Sequence, residues 1–250
     1  MALTALILAH NESEQIERCI ASLSFCDAVL VIDNYSTDDT AAKAKKAGAQ
    51  VIQHELETFS AQRTFAMNQS QTDWVLFVDA DEIVPPELAT EIQSTLASSS
   101  FDAYYLKRID FWCNHELRFG ELTAARNKGF IRLMKQHSGI WKGNVHETFH
   151  PNGPAGTLTH ALHHYPHASV TEFLLDINEY STLRAQELFD QKYQFRLVDL
   201  LLKPNLKFLY TFFWLQGYRD GAPGFIYSFM MSFHSFLVRA KLYQYWLTSA

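Results

Sequence analysis

A chain of 250 residues, 48% hydrophobic and 19% charged, is long enough to bury one sizeable core and carry an appendage. Its formal net charge of −6, with no long run of lysine or arginine, argues against nucleic acid as a partner. Cys19, Cys26 and Cys113 are odd in number and lack CxxC spacing, which argues against a disulfide framework and fits a reducing, cytoplasmic setting.

The opening MALTALILAH has no basic n-region and stops at the polar HNESE, so LTALILA reads as a buried first strand rather than a secretory leader. NESEQIERCIASL follows as a helix with Ile16, Ile20 and Leu23 on one face, and Asn11 with Glu14 as its start signal. Next come AVLVID as strand, STDDTAAKAKKAG as a helix ending at Gly48, and AQVIQ as strand. SAQRTFAMNQS then reads as a short helix, WVLFVDAD as strand, and PELATEIQSTLA as a helix started by Pro85-Pro86. This alternation predicts an α/β fold with a mixed, mainly parallel sheet flanked by helices, and ligands at the carboxyl ends of the strands. From Phe101 to about Thr159 shorter strand-like pieces, DAYYLKRIDF and GFIRLM, suggest the mixed half of the same domain. The break at HHYPHAS divides the chain into a catalytic domain, 1–167, and a helical C-terminal region, 168–250.

The strand ends carry the chemistry. A dinucleotide site needs a glycine-rich turn after the first strand, and none is present. Asp79 and Asp81 instead place two carboxylates where a strand ends, hard oxygen ligands suited to Mg²⁺ or Mn²⁺ and a diphosphate; the alternative is a solvated acidic turn. Asp33, closing the second strand, could meet a base or ribose, or cap a helix with Ser36 and Asp39. Arg63 could face a phosphate or solvent.

A second motif competes. His146-Glu147-x-x-His150 has zinc-hydrolase spacing, yet that site needs both histidines on one continuous helix, and Gly143 and the following PNGP break helices on either side. A zinc metallohydrolase built on this cluster is therefore kept only as an alternative, beside a non-catalytic membrane-binding scaffold.

LILAHNESEQIERCIASL, VIDNYSTDDT, WVLFVDADE and VHE, in this order, resemble the family 2 glycosyltransferases of GT-A fold, and among them the lipopolysaccharide core β-1,4-glucosyltransferase type. The resemblance implies an inverting, metal-dependent hexosyltransferase that uses a UDP-sugar, UDP-glucose by expectation. It implies Mg²⁺ or Mn²⁺ as cofactor, and the lipopolysaccharide inner core or another lipid-linked saccharide as acceptor. Asn11 and Glu12 then lie in the first nucleotide-contacting loop, Asp33 on the uracil side, and Arg63 in a segment that meets the donor. Asp79 faces the ribose, Asp81 binds the metal, Arg132 matches the family's RLF-like element, and Glu147 is the expected catalytic base. His164 supplies a further metal or phosphate contact, with His163 as the alternative match. One departure is Asn34-Tyr35 after Asp33, where many relatives carry an acid or a glycine.

The aromatic tail, read as a helix from Phe225 to Val238, carries a polar stripe of Ser228, Ser232, Ser235 and Arg239 beside a wide apolar face. It is too short to span a bilayer and contains His234. Such helices pack internally, form a homodimer, or lie in the membrane interface aided by Arg196, Lys203, Lys207, Arg239 and Lys241, at the inner face of the cytoplasmic membrane.

Overall fold

A computed structural model describes residues 1–98, 100–143, 147–167 and 169–248. The chain forms two compact units, Met1–Ile109 with Ala125–His164, and Asp110–Ala124 with Tyr165–Ala250. The second unit thus takes in the segment from Asp110 to Ala124, which reads from sequence as part of the first domain.

The first unit starts β1 (Leu3–Ala9), α1 (Ile16–Ser22), β2 (Ala28–Asp33), α2 (Thr40–Lys46), β3 (Gln50–Gln53), α3 (Phe59–Gln69) and β4 (Trp74–Asp79). It continues through β5 (Glu82–Ile83), α4 (Pro86–Ala97) and β6 (Ala103–Trp112), whose last residues enter the second unit and pair there with β7 (His115–Leu117). After α5 (Thr123–Asn127) come β8 (Phe130–Lys135), β9 (Gly139–Lys142), β10 (Thr148–Pro151) and β11 (Ala155–His164). The strand order is β3-β2-β1-β4-β8-β6-β11-β5. The block β3-β2-β1-β4 is parallel, β8 joins it antiparallel, and β9 and β10 form a separate two-stranded ribbon.

The central strands are apolar throughout because both of their faces are covered. Ala5, Ile7 and Ala9 of β1 pack with Ile16 and Ile20 of α1 and with Leu88 and Ile92 of α4, while Leu6, one step along the pleat, packs with Ala66 and Met67 of α3. Leu6, Ile7, Leu76 and Phe77 are wholly buried, so this layer holds most of the first unit's hydrophobic stabilisation, about 1.5–3 kcal/mol per large side chain. Gly129 is required at the entry to β8: it has φ +70°, and a Cβ there would lie 2.0 Å from the Leu106 carbonyl oxygen of β6.

Asn11 does not start α1 as its sequence position suggests. Gln15 occupies the cap position without a side-chain bond, and the Asn11 Oδ1 accepts instead from the Thr37 N–H at 2.8 Å. A long-range partner outcompetes the local one.

In the second unit α6 (Val170–Asp190), α7 (Leu197–Leu209) and α8 (Gly221–Thr248) pack together, α7 being followed by a π-helical turn at Tyr210–Trp214. Ser169 caps α6, its Oγ accepting from the Glu172 N–H at 3.1 Å. The serine stripe of α8 turns inward, with Ser228 and Ser235 buried and the Ser232 Oγ donating to the Pro204 carbonyl at 2.8 Å. Small side chains at this contact allow close helix approach, and Phe225, Phe229 and Phe236 are left exposed. Trp112, Leu117, Phe173, Ile177 and Met230 form the unit's main core. Among the described residues, no helix is long and apolar enough to cross a membrane.

Candidate active site

Strand register levels three loop starts. Ala9 stands opposite Asp33 and Leu8 opposite Asp79, so the carboxyl ends of β2, β1 and β4 open on one edge of the sheet. Asp33 and Asp79 are therefore separated by two strand spacings, roughly 10 Å. This is the edge at which parallel α/β sheets bind ligands.

Beyond β4 the chain builds a buried charge network. Arg132, on β8, grips Asp79 in a fork, Nη1 donating to Oδ1 at 3.0 Å and Nη2 to Oδ2 at 2.5 Å. Arg63, on α3, donates from Nη2 to the same Oδ1 at 3.2 Å and from Nε to Glu147 Oε1 at 2.7 Å, joining residues 84 positions apart. The Arg63 guanidinium lies 5.1 Å from the Phe77 ring centroid and 5.0 Å from that of Trp141, and its buried Nη1 has no hydrogen-bond partner among the described residues. Glu82, fully buried, accepts the Asp79 N–H on Oε2 at 2.9 Å, and its Oε1 stands 3.7 Å from Arg132 Nη2.

The electrostatics follow from this crowding. Burial pushes the Asp79 carboxyl up, but the Arg132 and Arg63 guanidiniums outweigh it and hold the group well below the usual carboxylate range. Two charges about 4 Å apart attract by about 4 kcal/mol at an effective dielectric of about 20, and Asp79 has two such partners. For Arg132 burial disfavours the charge, yet Asp79 and Glu82 overcome it and raise the pKa. Glu82 goes the other way: desolvation lifts its carboxyl, Arg132 opposes, and the Asp79 charge adds to the rise. Cys19 donates from Sγ to the Asp79 carbonyl at 3.4 Å, and burial, with Glu82 next, lifts its thiol far from thiolate formation, so it is no nucleophile.

Asp81 sits one turn further. His164 Nε2 approaches its Oδ2 at 3.0 Å, held there because β11 pairs antiparallel with β5 and sets His164 opposite Glu82. The neighbouring His163 lines a cleft of about 290 Å³ with Lys107 and Arg126. A divalent cation fits this donor set in a limited way. Both Asp79 oxygens are occupied by guanidiniums, and no cluster of three metal-ligating side chains exists among the described residues. Asp81 with His164 offers two protein ligands, the number Mg²⁺ accepts when substrate phosphates and water complete its shell.

Asn11, Glu12 and Asp33 gather apart from that network, in the loops after β1 and β2. The Glu12 N–H donates to Thr40 Oγ1 at 2.7 Å, and the Asn11 N–H to Ser36 Oγ at 2.9 Å. Asp33 is wholly buried, accepting from Ser36 Oγ and, at 3.2 Å, from the Ser36 N–H, so its carboxylate shapes the loop. Asp39 holds the cap position of α2 without a side-chain bond. Asn11 (φ 57°) and Tyr35 (φ 50°) both adopt left-handed backbone, which is uncommon for asparagine and a genuine outlier for a bulky tyrosine.

The zinc-hydrolase reading fails on local structure. His150 lies on β10, exposed, its Nε2 3.0 Å from Thr148 Oγ1, and β10 is a strand paired with β9, so the helix that would bring two histidines to one face is absent there. His146 lies outside the described residues. Sequence reasoning missed the Phe77 and Trp141 rings around Arg63, and it reads Glu82 as part of the acidic turn, whereas the structure buries that side chain fully.

Comparison with known proteins gives the family. Residues 4–150, more than half of the chain, match the model of glycosyl transferase family 2. The chain is 30% identical to an uncharacterised glycosyltransferase of Rickettsia conorii, over 96% of its own length and 89% of that protein. It is 28% identical to the lipopolysaccharide core biosynthesis glycosyltransferase LpsC of Rhizobium meliloti, over 98% of its own length and 93% of LpsC. Among solved structures, glucosyl-3-phosphoglycerate synthase from Mycobacterium tuberculosis in complex with Mg²⁺ and UDP is similar with a TM-score of 0.44 and 20% identity, covering 58% of this chain and 60% of that one. The chain belongs to glycosyl transferase family 2.

Proposed function

We propose that the protein transfers a hexose, glucose in the first instance, from a UDP-sugar to a saccharide of the lipopolysaccharide inner core or another lipid-linked saccharide, with inversion at the anomeric carbon. The observation that carries this reading is the single buried network joining Arg63, Asp79, Arg132 and Glu147, with the Asp81–His164 pair at the end of the same strand. Similarity to LpsC over nearly the whole chain supports the core saccharide as acceptor.

The acceptor hydroxyl attacks the anomeric carbon as the bond from that carbon to the diphosphate oxygen breaks, and the hydroxyl proton passes to Glu147. Arg63 Nε fixes Glu147 Oε1, and Oε2 carries no hydrogen bond among the described residues, so the proton has a place to go. Arg63 Nη1, buried and without a partner among the described residues, is a donor for a phosphate oxygen. Arg132 keeps Asp79 ionised and fixed as an acceptor for the ribose hydroxyls. Asp81 and His164 are the residues that would hold a divalent cation, whose charge offsets that of the departing diphosphate. The lipid-linked acceptor brings the protein to a membrane surface as a peripheral protein.

Thermal stability measured against a panel of nucleotide sugars, with and without Mn²⁺, tests the reading. UDP-glucose with Mn²⁺ should stabilise the fold by about 2.7 kcal/mol at a hundredfold excess over Kd. Glu147→Gln should keep that binding and lose about 10²- to 10⁴-fold in transfer rate. No stabilisation by any nucleotide sugar, or undiminished transfer by the variant, would overturn it.

A further inference from the structure

We infer that α7 and the π-helical turn after it form a docking surface for an anionic lipid bilayer, an inference that rests on the membrane reading above and names the surface and the lipid chemistry. Leu197, Leu201, Leu202, Leu206, Phe213 and Trp214 are each more than half exposed, Trp214 to 76%. With Val198, Leu209 and Tyr210, which are exposed as well, they recur at adjacent positions every four residues from 197 to 214, a row of i, i+4 neighbours along α7 and the turn with Asn205 as the polar interruption. Soluble monomers rarely leave so continuous an apolar stripe uncovered. The opposite side of α7 is the one committed to the fold, through Pro204 and Ser232 and through Lys203, Asp199 and Tyr193.

Charge selects the occupant. From Lys192 to Thr248 the chain carries seven lysines and arginines against Asp199 and Asp220, a formal +5 in a protein of net charge −6. Lys203 is paired with Asp199 and Lys207 with Glu121, while Lys192, Arg196 and Arg219 are exposed and make no ion pair among the described residues. A second copy meeting this face about a two-fold axis would set the two positive regions together. An anionic headgroup layer instead neutralises them while the leucines enter the acyl boundary, and Tyr210 and Trp214 suit the level between. With 13 residues, α7 lies in the interface and does not cross it.

The full-length protein is sedimented with vesicles of phosphatidylcholine alone and of equal parts phosphatidylcholine and phosphatidylglycerol, with Trp emission and UDP-glucose binding recorded on the same samples. Binding to the anionic vesicles, weakened by salt, with a blue shift in emission, is expected. Leu201→Glu and Leu206→Glu should each reduce vesicle partitioning about tenfold or more with UDP-glucose affinity unchanged. Arg196→Glu, which leaves the apolar stripe whole, should reduce it selectively on the anionic vesicles. Failure of the wild-type protein to bind vesicles while it still binds UDP-glucose would overturn the docking surface alone, as would a lipid-free dimer that buries Trp214. Vesicle binding without nucleotide binding would uphold the surface and remove the transferase reading.

Discussion

The edge of the first unit's sheet and the outer face of α7 in the second depart from ordinary protein architecture in opposite directions. At the sheet edge, Arg63, Arg132, Glu82 and Glu147 are ionisable groups taken almost wholly out of water and set against one another and Asp79. On α7 and the turn that follows it, leucines and a tryptophan are left exposed to water. Each arrangement costs stability if folding is the only purpose: buried ion networks seldom outperform apolar packing, and exposed leucines forgo burial. Departures of this kind mark candidate sites of contact, and the two proposals above assign a nucleotide sugar to the one and a lipid surface to the other.

The sharpest way to break the contrast is to remove one cation from each region. Arg132→Met leaves Asp79 with Arg63 alone and removes the cation beside Glu82, and should cost about 3–5 kcal/mol in denaturant unfolding, whereas Arg196→Met, at an exposed helix start, should stay within about 0.5 kcal/mol. Equal effects would mean that the network is no more demanding than surface charge. Next in size is Tyr35→Gly. The left-handed backbone costs tyrosine about 1–3 kcal/mol and glycine's entropy returns about 0.5–1 kcal/mol, so the variant should be more stable by about 1 kcal/mol. A destabilised variant would show that the Tyr35 ring contributes packing that outweighs its strain.

The smallest effect concerns the second unit and pH. Burial, with Lys207 and then Arg239, holds His234 below the ordinary histidine pKa. A lowered value means that the folded state favours the neutral ring. The associated stability is therefore present above the unfolded pKa of about 6.5 and is lost as pH falls through the lower folded value. The melting temperature should decline across mildly acidic pH, and His234→Leu should flatten that decline; an unchanged slope in the variant assigns the acid sensitivity to other groups.

How much of this was legible differs by region. LTALILA, AVLVID and WVLFV are unbroken apolar runs because their strands are covered on both faces, and such runs announce themselves; so does the helix that Pro85-Pro86 starts. The strand β11, with histidines at 160, 163 and 164, and the two-residue β5 carry no such signal, yet their pairing is what sets His164 beside Asp81. The acids at the ends of β2 and β4 could be picked out, but not that Asp33 would be consumed by Ser36, nor that Arg63 would reach Glu147 across 84 residues. Those outcomes depend on tertiary register. In the tail the apolar face was visible, while its owner was not: α8 has its serines turned inward, and the more continuous exposed stripe belongs to α7.

That the acids after β4 grip a nucleotide sugar is tested most directly by calorimetric titration of UDP-glucose, in the presence of Mn²⁺, into the wild-type protein and Asp81→Asn. Measurable binding to the wild type, weakened about tenfold or more by loss of the single carboxylate charge, is the expected result. Equal affinity in the two proteins would contradict it.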